Sequence, residues 1–237
     1  GTPPPGHGGR YFIFVRLTTG CGITGIGEIY SASFAPEVVC RMAEDMFARY
    51  LEGRAADRIE HFWRQAHGSG FTHRPDTSVQ GVVSGLEMAC WDIVGKELDR
   101  PVYALLGGLV NERLRTYTYL YPPEGADPAK FYNDPLASAE VAAARVAEGF
   151  SAVKFDPAGQ YTVYDGRMPD LEAMAQSVAF CREIRAAVGD RADMLFGTHG
   201  QFTATGALRL ARQLEPFDPL WFEDCLLYTS PSPRDNP

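Results

Sequence analysis

The sequence predicts an α/β chain in two parts, a mixed α+β segment over residues 1–110 and a run of alternating strands and helices over residues 111–224. Two short β-branched and aromatic runs flank a glycine-rich turn near the N-terminus, as in a hairpin. Apolar residues then recur at helical spacing through the rest of the first part. Beyond Gly107-Gly108, four short apolar runs are separated by three amphipathic segments, the pattern of parallel βαβ units in a sheet or (β/α) barrel.

Tyr11-Phe12-Ile13-Phe14-Val15-Arg16-Leu17 reads as the first strand, and Gly20-Cys21-Gly22 turns the chain into Ile26-Gly27-Glu28-Ile29-Tyr30. Residues 36–67 read as one long helical region, broken by the polar, glycine-containing loop that runs from Gly68 to Asp76. From Ser78 onward Val83, Leu86, Cys90, Ile93 and Val94 fall on one helical face. That helix ends at Leu98-Asp99-Arg100-Pro101, because Pro101 has no N–H to donate and restricts Arg100 as well. In the second part residues 114–120 predict a strand, 136–148 a helix closed by Gly149, and 152–155 the next strand. A helix with Leu171, Met174, Val178, Cys181, Ile184 and Val188 on one face runs up to Gly189. Strands at 194–196 and 220–222 flank a final helix over 204–214.

With 237 residues, 45% of them hydrophobic, the chain can bury a substantial core. Its 22 Lys+Arg against 30 Asp+Glu give a net charge of -8, and no basic block is dense enough to track a phosphate backbone, so nucleic acid is excluded as a partner. No apolar run is long enough to span a bilayer and no signal-peptide pattern opens the sequence, which predicts a cytoplasmic protein with no membrane partner. Five cysteines without C-x-x-C spacing predict reduced structural thiols. The opening Gly1-Thr2-Pro3-Pro4-Pro5-Gly6, without methionine, suggests that residues are missing upstream.

Gly20-Cys21-Gly22-Ile23-Thr24-Gly25 satisfies G-x-G-x-x-G. A dinucleotide fingerprint must open a helix, whereas these glycines lead into another strand, so a tight hairpin is expected.

The stretch from Ser84 through Trp91-Asp92-Ile93-Val94-Gly95-Lys96, followed by Pro101-Val102-Tyr103-Ala104-Leu105-Leu106-Gly107-Gly108, resembles the helix-to-barrel junction of the mandelate racemase and muconate lactonising family of the enolase superfamily. Gly25-Ile26-Gly27-Glu28 resembles the hairpin of that family's capping domain, and Trp221-Phe222-Glu223 its fourth barrel strand. The resemblance implies an α+β capping domain followed by the first half of a modified TIM barrel, with catalytic groups at the C-terminal strand ends. It also implies abstraction of the proton α to a carboxylate, with Mg²⁺ stabilising the enediolate. An acid-sugar dehydratase, working on a small-molecule aldonate or aldarate and assembled as a homo-oligomer, is the reading it favours. A racemase, epimerase or cycloisomerase of the same family is the alternative, as is a non-catalytic fragment.

Lys154-Phe155-Asp156 stands where the family often carries Lys-x-Lys. A lysine at a strand end is ordinarily a solvated charge; the resemblance makes Lys154 a catalytic contact to the substrate carboxylate and Asp156 a substrate-binding residue. Loss of the second lysine argues against a two-base racemase. His199, in Gly197-Thr198-His199, matches the histidine of an Asp-x-His motif that protonates the departing hydroxyl. Gly197 takes the place of the aspartate, and glycine offers no side-chain oxygen to a hard cation. Asp193 lies at the wrong end of that strand to substitute. Glu223 is the implied metal ligand. His73 and Arg74, in a polar loop, are implied to bind substrate.

Residues 225–237 depart from the family pattern and resemble the translation of a sequencing adapter, a non-native tail. The family's third metal ligand and its usual base would lie beyond this point. The chain alone is therefore expected to be inactive.

Overall fold

The structure, a computed structural model, describes residues 11–30, 35–69, 76–157 and 168–223. The chain divides into two compact units, Gly1–Glu112 and Arg113–Pro237.

In the first unit β1 (Ile13–Thr18) pairs antiparallel with β2 (Thr24–Ile29). The turn between them is closed by Thr19 N–H donating to the Ile23 carbonyl at 2.9 Å, with Gly22 at φ 91°. The glycine-rich stretch is thus a hairpin turn, as the sequence predicts. Helices α1 (Pro36–Tyr50), α2 (Ile59–His67), α3 (Thr77–Glu97) and the single turn α4 (Val102–Leu105) follow. The expected continuous helical region over 36–67 is in fact two helices. Gly53 lies at φ 69° between them, and the Arg54 guanidinium donates to the Arg49 carbonyl at 3.1 Å. A left-handed glycine with satisfied helix-end carbonyls is a helix stop, which the amphipathic pattern conceals.

Asp76 caps α3 by accepting hydrogen bonds from the Ser78 and Val79 N–H groups. Of the face expected of this helix, Val83, Leu86, Cys90 and Ile93 are buried, Val83 and Leu86 in one core with Ile13, Ile29, Val39 and Phe62, whereas Val94 is half-buried. Strand β2 crosses α3 at backbone distance. A Cβ on Gly27 would lie 1.9 Å from the Gly85 carbonyl oxygen, and one on Gly25 would lie 2.1 Å from that of Ala89. The edge of the strand is completed by helix side chains. Ile26 N–H donates to Asp92 Oδ2 at 2.9 Å, and Lys96 Nζ donates at 2.7 Å to both Asp92 and the Thr24 carbonyl. Lys96 chiefly, helped by the Ile26 amide, holds the Asp92 carboxyl below its ordinary range.

The second unit contains β3 (Thr118–Tyr119), α5 (Pro128–Phe131), α6 (Pro135–Ala147), β4 (Ala152–Phe155), α7 (Leu171–Val188), β5 (Asp193–Gly197), α8 (Ala204–Leu214) and β6 (Pro219–Glu223). The four strands form one parallel sheet in the order β3-β4-β5-β6. Asp134, Asp170 and Thr203 cap α6, α7 and α8. Alternation along the strands sends Val153, Phe155, Met194 and Phe196 into a core with Ala142, Cys181, Ile184 and Leu210 of the helices. Arg185 fastens the end of α7 to the approach of β6, donating to the carbonyls of Gly189, Ala192, Phe217 and Asp218.

Two readings need correction here. The strand expected over 114–120 contracts to Thr118–Tyr119, the residues that pair with Val153 and Lys154, and Leu114 is exposed. Leu171, assigned to the buried face of α7, is exposed in its first turn, while Ser177 is buried with its hydroxyl donating to the Ala173 carbonyl. Cys90 and Cys181 are buried free thiols, as expected; Cys21 and Cys40 are exposed. Burial pushes the Cys90 thiol up to about 11 and Cys181 higher still.

Candidate active site

The alternation that places Phe155 and Phe196 in the helix-side core turns Lys154, Leu195, Gly197, Trp221 and Glu223 to the opposite face of the sheet. Register then aligns their ends, with Tyr119 beside Lys154 and Gly197 beside Glu223. The Lys154 side chain is only 11% exposed, and its Nζ donates to Glu223 Oε2 at 2.7 Å. The same ammonium lies 5.8 Å from the centroid of the Tyr117 ring, within cation–π range. Tyr117 in turn meets Trp221 edge-on at 5.5 Å.

Asp156 follows the end of β4 and its side chain is 9% exposed. Its Oδ1 lies 3.3 Å from His199 Nε2, an ion-pair distance, yet among the described residues no hydrogen bond reaches that buried oxygen. Burial pushes the Asp156 carboxyl above the ordinary range. The Tyr119 hydrogen bond and the charges of His199 and Lys154 oppose that shift, and Glu223 adds to it. His199 is held at φ 54°, followed by Gly200 at φ 73°; a non-glycine residue in the left-handed region is uncommon and often marks a functional turn. Thr198 anchors this turn, its N–H and hydroxyl both donating to the Glu223 carbonyl at 3.1 and 3.0 Å.

Gly197 lies at the centre. A Cβ there would come within 2.9 Å of Lys154 Cε and 3.2 Å of Asp156 Oδ1. The missing side chain is thus replaced in space by two neighbouring ones.

The structure brings four sequence-predicted residues together, Lys154, Asp156, His199 and Glu223. His73 and Arg74 lie outside the described residues, as does the tail over 225–237. Asp193 sits at the far end of β5, paired with Arg115 at 2.5 Å. Sequence reasoning missed Tyr117, Tyr119 and Thr198. The period-two spacing of the two tyrosines onto one face was the available signal; the doubly bonded Thr198 had none.

A Mg²⁺ site is not completed here. Among the described residues no group of three His, Cys, Asp or Glu could hold a metal ion. Gly197 supplies no side-chain oxygen, and Glu223 has the Lys154 ammonium against one of its own.

Residues 7–107 match the mandelate racemase/muconate lactonizing enzyme N-terminal domain, and residues 137–232 match the enolase C-terminal domain-like family. A D-galactonate dehydratase of Xanthomonas axonopodis pv. citri is 33% identical over 93% of this chain and 53% of its own length. The chain thus spans about half the length of the curated relatives it matches. Crystal structures of mandelate racemase/muconate lactonizing enzymes from Jannaschia sp. CCS1 and a Sulfitobacter species are each 56% identical over 94% of this chain. They superpose with TM-scores of 0.86 and 0.87, and the chain covers 57% and 56% of them. With a capping domain and part of a barrel domain each matched in order, the chain belongs to the mandelate racemase/muconate lactonizing enzyme family of the enolase superfamily.

Proposed function

We propose that the whole protein is a hydro-lyase that dehydrates a small sugar acid, an aldonate or aldarate, to a 2-keto-3-deoxy acid and water. The observation that carries it is His199 at the end of β5, 3.3 Å from a buried carboxylate and beside the Lys154 ammonium's strand end, in a chain related to D-galactonate dehydratases. In that reaction a base removes the α-proton, the β C–O bond breaks, and the departing hydroxyl takes a proton to leave as water. The enol that remains tautomerises to the ketone, so atoms and charge balance without a redox partner. His199 donates the proton to the leaving oxygen. Lys154 offers its ammonium to the substrate carboxylate, and Asp156 lines the same strand ends. Family membership supports a divalent cation such as Mg²⁺, whose charge would stabilise an enediolate; Glu223 is the described carboxylate that would share in holding it.

Lys154-Phe155-Asp156 has one lysine where a two-base racemase needs two basic groups, which supports elimination over racemisation. The test is to incubate the whole protein with Mg²⁺ and a panel of aldonates and aldarates, following 2-keto acid formation. Turnover of one of them is expected. Deuterium wash-in from solvent without loss of water, on any substrate, would replace this reading with a racemase, epimerase or cycloisomerase.

A further inference from the structure

We infer that Asp156 is a positioning residue for His199, and that Gly197 is glycine because the pair needs its space. The inference rests on the dehydratase reading only for what His199 does, not for how it is held. Among the described residues no hydrogen bond reaches Asp156 Oδ1, a buried carboxylate oxygen, and His199 Nε2 lies 3.3 Å from it. Such an oxygen is expensive to leave uncompensated. It is compensated best when the imidazole carries a proton on both nitrogens, because the contact then becomes a charged pair.

A carboxylate fixed beside the ring orients it, while the 41% exposure of the His199 side chain leaves it open to a substrate. The backbone contributes as well. His199 is held at φ 54° by a turn whose preceding residue, Thr198, is bonded twice to the Glu223 carbonyl.

Among the described residues, Lys154 and Glu223 also act on Asp156; they are paired with each other at 2.7 Å, and Tyr119 hydrogen-bonds to Asp156. The clearance at position 197 completes the arrangement. Any side chain there would begin 3.2 Å from Asp156 Oδ1 and 2.9 Å from Lys154 Cε. A side chain on β5 would first displace the Lys154 stem and then crowd Asp156.

In the whole protein, on whichever acid it turns over, Asp156→Asn should lower kcat roughly 10-fold or more with a smaller change in KM, and Asp156→Glu should restore most of it. The NMR ring signals of His61 and His67, in the other unit, report that the fold is kept. An unchanged kcat in Asp156→Asn, or no recovery in Asp156→Glu, overturns the inference. The same split measured on a reaction that loses no water would sink the dehydratase reading and leave the positioning role standing.

Discussion

Lys154 Nζ and Glu223 Oε2 meet at 2.7 Å although they come from β4 and β6, strands separated in the sheet by β5. The contact passes over Gly197, whose absent side chain leaves room for the lysine to reach across. Strand order, side-chain alternation and one glycine together create the ion pair.

Gly197→Ala tests that relationship. The atom a new methyl would strike, Lys154 Cε at 2.9 Å, is the far end of a flexible side chain, so the collision is relieved by moving the lysine rather than the backbone. Urea denaturation should show a loss of no more than about 1 kcal/mol, at the low end of overpacking costs. Activity of the whole protein should fall at least about 10-fold, since the displaced ammonium no longer lies where a substrate carboxylate would meet it.

Glu223→Ala should destabilise the chain more than Lys154→Met does. Removing the glutamate strands a nearly buried ammonium, whereas methionine keeps the apolar stem and removes the charge. Glu223 is 45% exposed, so solvent screening reduces the penalty well below that of a fully buried pair, to about 1–2 kcal/mol. Equal midpoints of urea denaturation for the two variants would refute the asymmetry.

Much of this was legible in the sequence, for identifiable reasons. The hairpin, α3 and the strand-helix alternation carry strong periodicities, and Lys154, His199 and Glu223 are each placed by the end of a strand that local pattern reveals. Pairing was not legible. Asp156 meets His199, and Lys154 meets Glu223, through register between strands, which no local window contains. The break after α1 was hidden because Gly53 interrupts an apolar pattern that continues on its far side. The shortness of β3 was hidden because its flanking residues are as β-prone as the two that pair.

Stability should depend on pH through Asp156. Its folded-state carboxyl is raised above the ordinary 3.8, chiefly by burial, so the folded protein holds that proton more tightly than the unfolded chain does. The contribution is complete below about 3.8 and is lost as pH rises through the folded-state value. Wild-type stability, measured against Asp156→Asn by urea denaturation from pH 3 upward, should therefore decline relative to the variant with increasing pH. A difference that grows in the opposite sense would mean that the His199 and Lys154 charges outweigh burial.

The first unit offers the sharpest steric test, because there the obstacle is backbone. A methyl on Gly27 would sit 1.9 Å from the Gly85 carbonyl oxygen, and one on Gly85 would sit 2.4 Å from Ile29 Cγ1. Neither the strand nor the helix can yield without separating β2 from α3, which would also pull Ile26 N–H from Asp92 and Lys96 from the Thr24 carbonyl. Gly27→Ala should cost about 3 kcal/mol, at the upper end for overpacking. Gly85→Ala should cost less, since a side-chain atom can rotate away. Gly20→Ala, in the same hairpin but with nothing within 4 Å of its added methyl, should stay within about 0.5 kcal/mol of wild type. Thermal or urea melts of the three variants check the order, and a Gly27→Ala protein as stable as Gly20→Ala would contradict the backbone contact between β2 and α3.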